Sequence, residues 1–195
     1  YEADDLIGSA LVAGRARAHH GVIVSADKDL SQLLEGADEQ WDYARGVRWT
    51  AAGVRDRHGV EAHQIADYLA LCGDAVDNIP GVPGIGSKTA ASLLHHFRTL
   101  DALLERSDEI QFLRFRGAGQ VGPKLRQHAD AARLYRQLTT IACDAPLGEG
   151  TTGFARRTGD AEALHALCEA VRFGPLTRRR LHSVAGLDYA PPAMA

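Results

Sequence analysis

Cysteine is scarce: the 195 residues hold three, Cys72, Cys143 and Cys168, far apart and in no CxxC pair. That excludes a disulfide framework and a thiolate zinc site, and it points to a reducing cytoplasm. Long apolar runs are missing too. The stretches at residues 11–13 and 65–72 are short and bounded or broken by Gly, Asp or His, well below the ~20 residues that span a bilayer. No signal peptide, internal repeat or low-complexity segment is visible. Excess positive charge is absent: the net charge is −3, which argues against a generic polyanion binder. An initiator Met is absent as well. The chain starts at Tyr1 inside a carboxylate-rich helix start, so a preceding portion is expected.

What is present is an ordinary globular mixture, 45% hydrophobic and 24% charged. At ~150 residues per domain this is one large domain, or one with a small subdomain. Residues 2–19 read as a helix, with Leu6, Ala10, Leu11 and Ala13 near helical spacing. The β-branched run 21–25 reads as a buried strand, 28–34 as a short helix and 40–43 as a second strand. That β-α-β order predicts an α/β fold with a parallel sheet, and two strands alone do not make a covered one. Beyond residue 50 the pattern is helical: 50–58, 61–72, 87–97 (with Ser87 as cap), 100–106, 122–128, 130–143, 160–173 and 175–185. The tail 187–195 is rich in Pro and Ala.

The acids are not spread evenly. Glu2-Ala3-Asp4-Asp5 puts three carboxylates in one helical turn, where compensation of the helix dipole is the plain alternative. Asp27-Lys28-Asp29 follows the apolar run Val22-Ile23-Val24, at the carboxyl end of a strand, where ligands gather in open sheets. The plain alternative there is a solvated turn. Asp74 and Asp77 follow an apolar helix and could simply end it. Jointly, three tight groups of acids beside apolar elements point to hard cations, because like charges crowd at a cost unless a cation lies between them. Oxygen-only ligands suit Mg²⁺ or Mn²⁺. Two such ions ~4 Å apart are the usual clamp for phosphodiester hydrolysis.

Gly81-Val82-Pro83-Gly84-Ile85-Gly86-Ser87-Lys88 is a glycine-rich turn between helices. It lacks the GxxxxGK[ST] order of a P-loop. It fits a helix-hairpin-helix contact to the DNA backbone, with a helix N-terminus and Lys88 favouring phosphate. A plain turn between two helices is the alternative. The bases from Arg114 to Arg136 are either a solvated face or a second backbone track. Arg178-Arg179-Arg180, His19-His20 and His95-His96 read as surface, and Trp41 and Trp49 as packing near the sheet edge.

The segments Glu2–Gly8, Ser25–Leu30 and Gly73–Ala90, and more loosely Phe115-Arg116-Gly117-Ala118, resemble the 5′-nuclease family of bacterial flap endonucleases and the 5′→3′ exonuclease domain of DNA polymerase I. The resemblance covers residues 1–145 well. It implies a PIN-like α/β core, whose C-terminal part would be residues 1–60, and a helical DNA-binding region with the glycine hairpin over 61–195. It implies Mg²⁺- or Mn²⁺-dependent cleavage near 5′ flaps, nicks and gaps, in replication and repair. Glu2, Asp4, Asp5 and Asp27 would serve one metal and Asp29, Asp74 and Asp77 the other, with Asp4, Asp5, Asp27 and Asp29 nearest the chemistry. Gly84, Ile85, Gly86, Ser87, Lys88, Thr89, Arg114 and Arg116 would contact DNA. Main-chain oxygens at Val82, Ile85 and Ser87 would hold K⁺. A monomer is expected, with DNA and a DNA polymerase as partners and no membrane. Members of the family begin with further metal-binding Asp residues and a helical arch that this sequence does not contain. The alternatives are a catalytically inactive branched-DNA-binding module of the same fold, and a PIN-like ribonuclease. The long glycine hairpin speaks for duplex DNA.

Overall fold

Val22–Val24 forms β1 and pairs in parallel with β2, Glu39–Asp42, as the β-branched run and the β-α-β order predict, but it is not the buried strand expected: Ile23 is buried, while Val22 and Val24 are exposed. The link between them carries a 3-10 turn over Asp29–Leu33 in place of the short α-helix expected there. A third strand, β3 at Val47–Thr50, folds back antiparallel on β2, giving the order β1-β2-β3. The residue pattern does not predict β3. It is four residues long, and its ends are set by the tight turn that Gly46 N–H closes on the Tyr43 carbonyl at 3.2 Å. Pairing with β2 outweighs its weak local signal.

The computed structural model describes residues 1–115, 117–148 and 158–189. They fall into two compact units, Tyr1–Gly148 and Glu149–Ala195. The division expected after residue 60 lies inside the first unit. The Pro/Ala tail lies, from residue 190 on, outside the described residues. No helix among the described residues is long and apolar enough to cross a membrane.

In the first unit α1 spans Ala3–Arg15, α2 Ala51–His58, α3 Ile65–Cys72, α4 Ser87–Phe97, α5 Leu100–Glu105, α6 Ala118–Gln127 and α7 Ala129–Thr139. The helix expected over 2–19 stops early, because the Gly14 carbonyl accepts from both Arg17 and His19 and Ala18 turns left-handed at φ 61°. The helix expected over 122–128 starts four residues sooner, at Ala118, with Pro123 inside it. Packing of α6 on the 3-10 turn at Ser107–Phe112 overrides the glycine and proline in its sequence. The helix expected over 130–143 ends at Thr139, where Thr140 turns to extended geometry, and residues 140–145 leave as a strap.

α3 is the hub. Ile65, Ala66, Asp67, Leu69, Ala70 and Leu71 are all buried, and the helix packs against α4 and α7. Leu93, Leu94, Leu100, Leu103, Ile110 and Leu125 complete the same core. At roughly 1.5–3 kcal/mol for each large apolar side chain buried, this core fixes both ends of α3. Its C-terminal end carries the acidic and glycine-rich loop.

The second unit contains α8, Ala161–Ala170, and α9, Pro175–Ala185. Asp160 caps α8 through the Glu162 and Ala163 amides. Arg178 pairs with Glu169 and donates to the Phe173 carbonyl at 2.6 Å. The expected surface run of arginines therefore includes one that joins the two helices.

Candidate metal centre and nucleic-acid interface

The loop after β1 carries Asp27, Lys28 and Asp29, and buried polar groups beneath it hold its shape. Gln40 on β2 has 0% exposure. Its amide nitrogen donates to the carbonyls of Ser25 (3.1 Å) and Asp27. Its amide oxygen accepts from the Ser31 hydroxyl at 2.7 Å, which in turn accepts from the Trp49 indole at 3.2 Å. Asp27 then accepts from the Asp29 amide at 3.0 Å, which closes a local turn between the two acids. Gln40 reads in sequence as an ordinary strand residue, and neither it nor Ser31 is legible as a support of the acids.

The loop at residues 73–86 supplies the other acids. Asp74 and Ile79 exchange two backbone hydrogen bonds, at 2.7 and 2.8 Å, closing a small ring with Asp77 exposed near its tip. The chain crosses itself where Gly81, at φ +68°, lies over Gly73. A Cβ on Gly81 would stand 2.4 Å from the Gly73 nitrogen, so no other residue fits. This crossing swings Asp74 and Asp77 toward the β1 loop. Carboxylate oxygens of Asp29, Asp74 and Asp77 come within 4.8 Å of one another.

Asp29 is buried, and its Oδ1 has no hydrogen-bond partner. Burial, with help from the charges of Asp27 and Asp74 and a hydrogen bond with Asp77, pushes its carboxyl up to about 7, against the pull of Lys28. Asp74 is buried too, which opposes its charge. The Lys28 ammonium and the Val76 amide, at 3.0 Å, more than offset this and hold its carboxyl below the usual range. Lys28 bonds Asp74 Oδ2 and stands 3.6 Å from Asp29 Oδ1. An orphaned buried carboxylate oxygen facing two further carboxylates, with no His or Cys in the group, is the donor set of a hard divalent cation.

Glu2, Asp4 and Asp5 stand at the start of α1. Glu2 and Asp5 form a capping box, with the Glu2 amide on Asp5 Oδ2 at 2.8 Å. Asp5 Oδ1 accepts from the Ala142 amide at 2.8 Å. Both oxygens of Asp5 thus hold backbone, and these amides keep its carboxyl low. Asp4 carries no such bond among the described residues. Partial burial raises its carboxyl, followed by the charges of Asp27, Glu2, Asp5 and Asp77. The strap after α7 fixes α1 in this position: Ser9 Oγ accepts from Ala145, and Gln32 links to Thr139 and Ile141.

α4 begins at the other end of the same loop with no side-chain cap. Gly86 is its N-cap and Ser87 its first residue, so the expected Ser87 cap is not formed. The amides of Ser87, Lys88 and Thr89 precede the first amide with an intrahelical partner, Ala90, which bonds the Gly86 carbonyl at 2.9 Å. Val82 and Ile85 bury their side chains, which leaves main chain and Gly84 at the surface. Lys124 of α6 lies over Gly84, its Nζ 2.7 Å from where a Cβ would stand. Lys88, Arg114 and Lys124 are exposed and make no ion pair among the described residues. Arg126, Arg133 and Arg136 pair with Asp108, Asp130 and Asp101 instead. Arg116 lies outside the described residues. Lys124 belongs to the basic run that the sequence offers as a second backbone track, but its place at the hairpin, 40 positions from Gly84, is visible only through the packing of α6.

Asp74 and Asp77 at one end and the uncapped start of α4 at the other thus share one loop. The profile of the family described as "5′-3′ exonuclease, C-terminal SAM fold" matches residues 60–162, and the chain belongs to this family. It is 35% identical over 179 residues to DNA polymerase I of Rhizobium leguminosarum, covering 92% of this chain and 17% of that protein. It is 36% identical to the thermostable DNA polymerase I of Thermus aquaticus, over 98% of this chain and 22% of that one. To the flap endonuclease Xni of Shewanella amazonensis it is 38% identical, over 75% of this chain and 55% of that protein. The chain thus spans no more than about half the length of these relatives. Its fold is that of the bacteriophage T5 5′-exonuclease solved with zinc: TM-score 0.61, 22% identity, 71% of this chain and 49% of that one. The T5 flap endonuclease in a pseudo-enzyme-product complex with DNA and metal ions is similar, with a TM-score of 0.61 and 18% identity over 95% of this chain and 60% of that one. The mixed α/β core with a small sheet and a helical region, as the sequence implies, is the fold of this family.

Proposed function

We propose that this chain is the metal-holding and duplex-gripping part of a structure-specific 5′ nuclease. The protein would act as a 5′–3′ exonuclease and flap endonuclease on DNA with 5′ flaps, nicks or gaps, as a monomer in the cytoplasm, in replication and repair beside a DNA polymerase. The observation that carries this reading is the Asp29, Asp74 and Asp77 group, with an unbonded buried oxygen on Asp29. It lies at one end of a loop whose other end is the uncapped start of α4.

Asp29, Asp74 and Asp77 would hold one Mg²⁺ or Mn²⁺, and Asp4 and Asp27, with Glu2 and Asp5 beside them, a second. Divalent ions there supply Lewis acidity, lowering the pKa of water and stabilising the departing oxygen. The chain's own residues do the rest. Gln40 and the Asp27–Asp29 turn keep the acids at fixed spacing. The amides of Ser87, Lys88 and Thr89, with the Lys88, Lys124 and Arg114 charges, hold duplex phosphates away from the cut. Gly84, Ile85 and Gly86 let the DNA backbone come close, and carbonyls of Val82, Ile85 and Ser87 would hold a K⁺ between loop and phosphate. Such contacts fix register and leave base sequence unread, as a structure-specific enzyme requires.

The test is incubation of the full-length protein with a 5′-flap duplex in Mg²⁺ or Mn²⁺ and then in EDTA. Metal-dependent cuts near the flap junction are expected. Tight binding with no cut in either metal would replace this reading with a non-catalytic branched-DNA module.

A further inference from the structure

Lys28 reaches the acidic group from its solvent side. It precedes the 3-10 turn in helical geometry, φ −69° and ψ −25°. Its ammonium reaches Asp74, 46 positions away, and stands 3.6 Å from Asp29 Oδ1. Among the described residues no other base forms an ion pair with either acid.

Asp74 does not depend on it for its shape. The Val76 amide holds Asp74 Oδ1, and the two backbone bonds to Ile79 close the ring. What Lys28 supplies is charge, at a place where three carboxylates crowd within 4.8 Å. Its side chain is 38% exposed, against 4% for Asp74 and 13% for Asp29, so the ammonium sits at the mouth of the group with a way out to solvent. A lysine on a four-carbon stem can leave such a place, whereas the planar fork of an arginine is built to stay.

Resting on the metal reading above, we propose that Lys28 is a positioning residue, a resident cation that holds Asp29 and Asp74 together and swings out as a divalent ion enters. Metal binding at this group is then an exchange of one cation for another. Lys28 keeps the ligands assembled without metal and lowers their affinity for it.

The experiment is calorimetric titration of the full-length protein with Mn²⁺, with Lys28→Met and Lys28→Arg alongside and the site assigned by its loss in Asp74→Asn. Removing the resident charge should tighten Mn²⁺ binding in Lys28→Met by about tenfold or more. Lys28→Arg should not tighten it. In EDTA the Lys28→Met protein should melt below the parent and recover when Mn²⁺ is added. Unchanged or weaker Mn²⁺ affinity in Lys28→Met overturns the exchange, as does a variant that stays unfolded with and without Mn²⁺. A parent that binds no Mn²⁺ overturns the metal reading and this inference together. A parent that binds, with Lys28→Met no tighter, overturns this inference alone.

Discussion

Asp29→Asn should raise the stability of the metal-free protein above neutral pH while weakening its response to metal. The carboxyl rises from 3.8 to about 7, first through burial and then through Asp27, Asp77 and Asp74. A carboxyl whose folded pKa lies above its unfolded value makes the folded state hold the extra proton. Its contribution is complete below about pH 4 and is lost as pH rises toward about 7. Each unit is worth about 1.4 kcal/mol, so about three units set a ceiling near 4 kcal/mol. The open mouth of the group and the neighbouring Lys28 cut this to roughly 1–2 kcal/mol. Asparagine has the same shape and no charge to lose. Urea unfolding in EDTA, at about pH 5 and about pH 8, spans about two of these three units and should therefore show the parent losing roughly 1 kcal/mol more than Asp29→Asn between the two. Added Mn²⁺ should reverse the order, stabilising the parent and having much less effect on the variant. Parallel pH curves for the two proteins would refute the burial argument, and an equal Mn²⁺ response would remove Asp29 from the ligands.

The remaining expectations follow from the supports and the grip. Gln40→Leu strands the Ser25 and Asp27 carbonyls and the Ser31 hydroxyl, so chemical denaturation should register a loss of roughly 2–4 kcal/mol, with weaker Mn²⁺ binding as the loop relaxes; an undisturbed Mn²⁺ affinity would show that Gln40 does not set the acids. Lys88→Ala should weaken duplex binding at every sequence alike and lower the slope of log affinity against log salt by about one, and Lys124→Ala should do the same; an unchanged slope removes either lysine from the phosphate contacts. Replacing K⁺ by Na⁺ should weaken duplex binding if carbonyls of the hairpin select the ion, and indifference to the swap counts against that site.

Much of this architecture is legible in the sequence because it is local. The run at Val22–Val24, the acids that follow it and the glycine punctuation of residues 73–86 each carry their signal within a few residues. β3 is not legible, since four residues of mixed polarity acquire strand geometry only from β2. The end of α7 is set from outside: the amides of Ala142 and Ala145 are taken by Asp5 and Ser9, 137 and 136 positions away. No window along the chain contains both partners. Gln40 hides for a related reason, because a buried amide looks like a solvated one until its carbonyl partners are placed. The same holds for Lys28, whose neighbours in sequence suggest a solvated turn and whose partner, Asp74, comes from another loop.

The account divides the site into acids that serve the chemistry and a hairpin that grips the duplex, and Asp27→Ala tests that division most directly. Cleavage of a 5′-flap duplex in Mg²⁺ and binding of the same duplex in EDTA would be measured side by side on the full-length protein and the variant. Loss of cleavage with binding within about threefold of the parent, a difference of about 0.7 kcal/mol, is the expected result. Cleavage at the parent's rate, or binding lost together with it, would contradict the account.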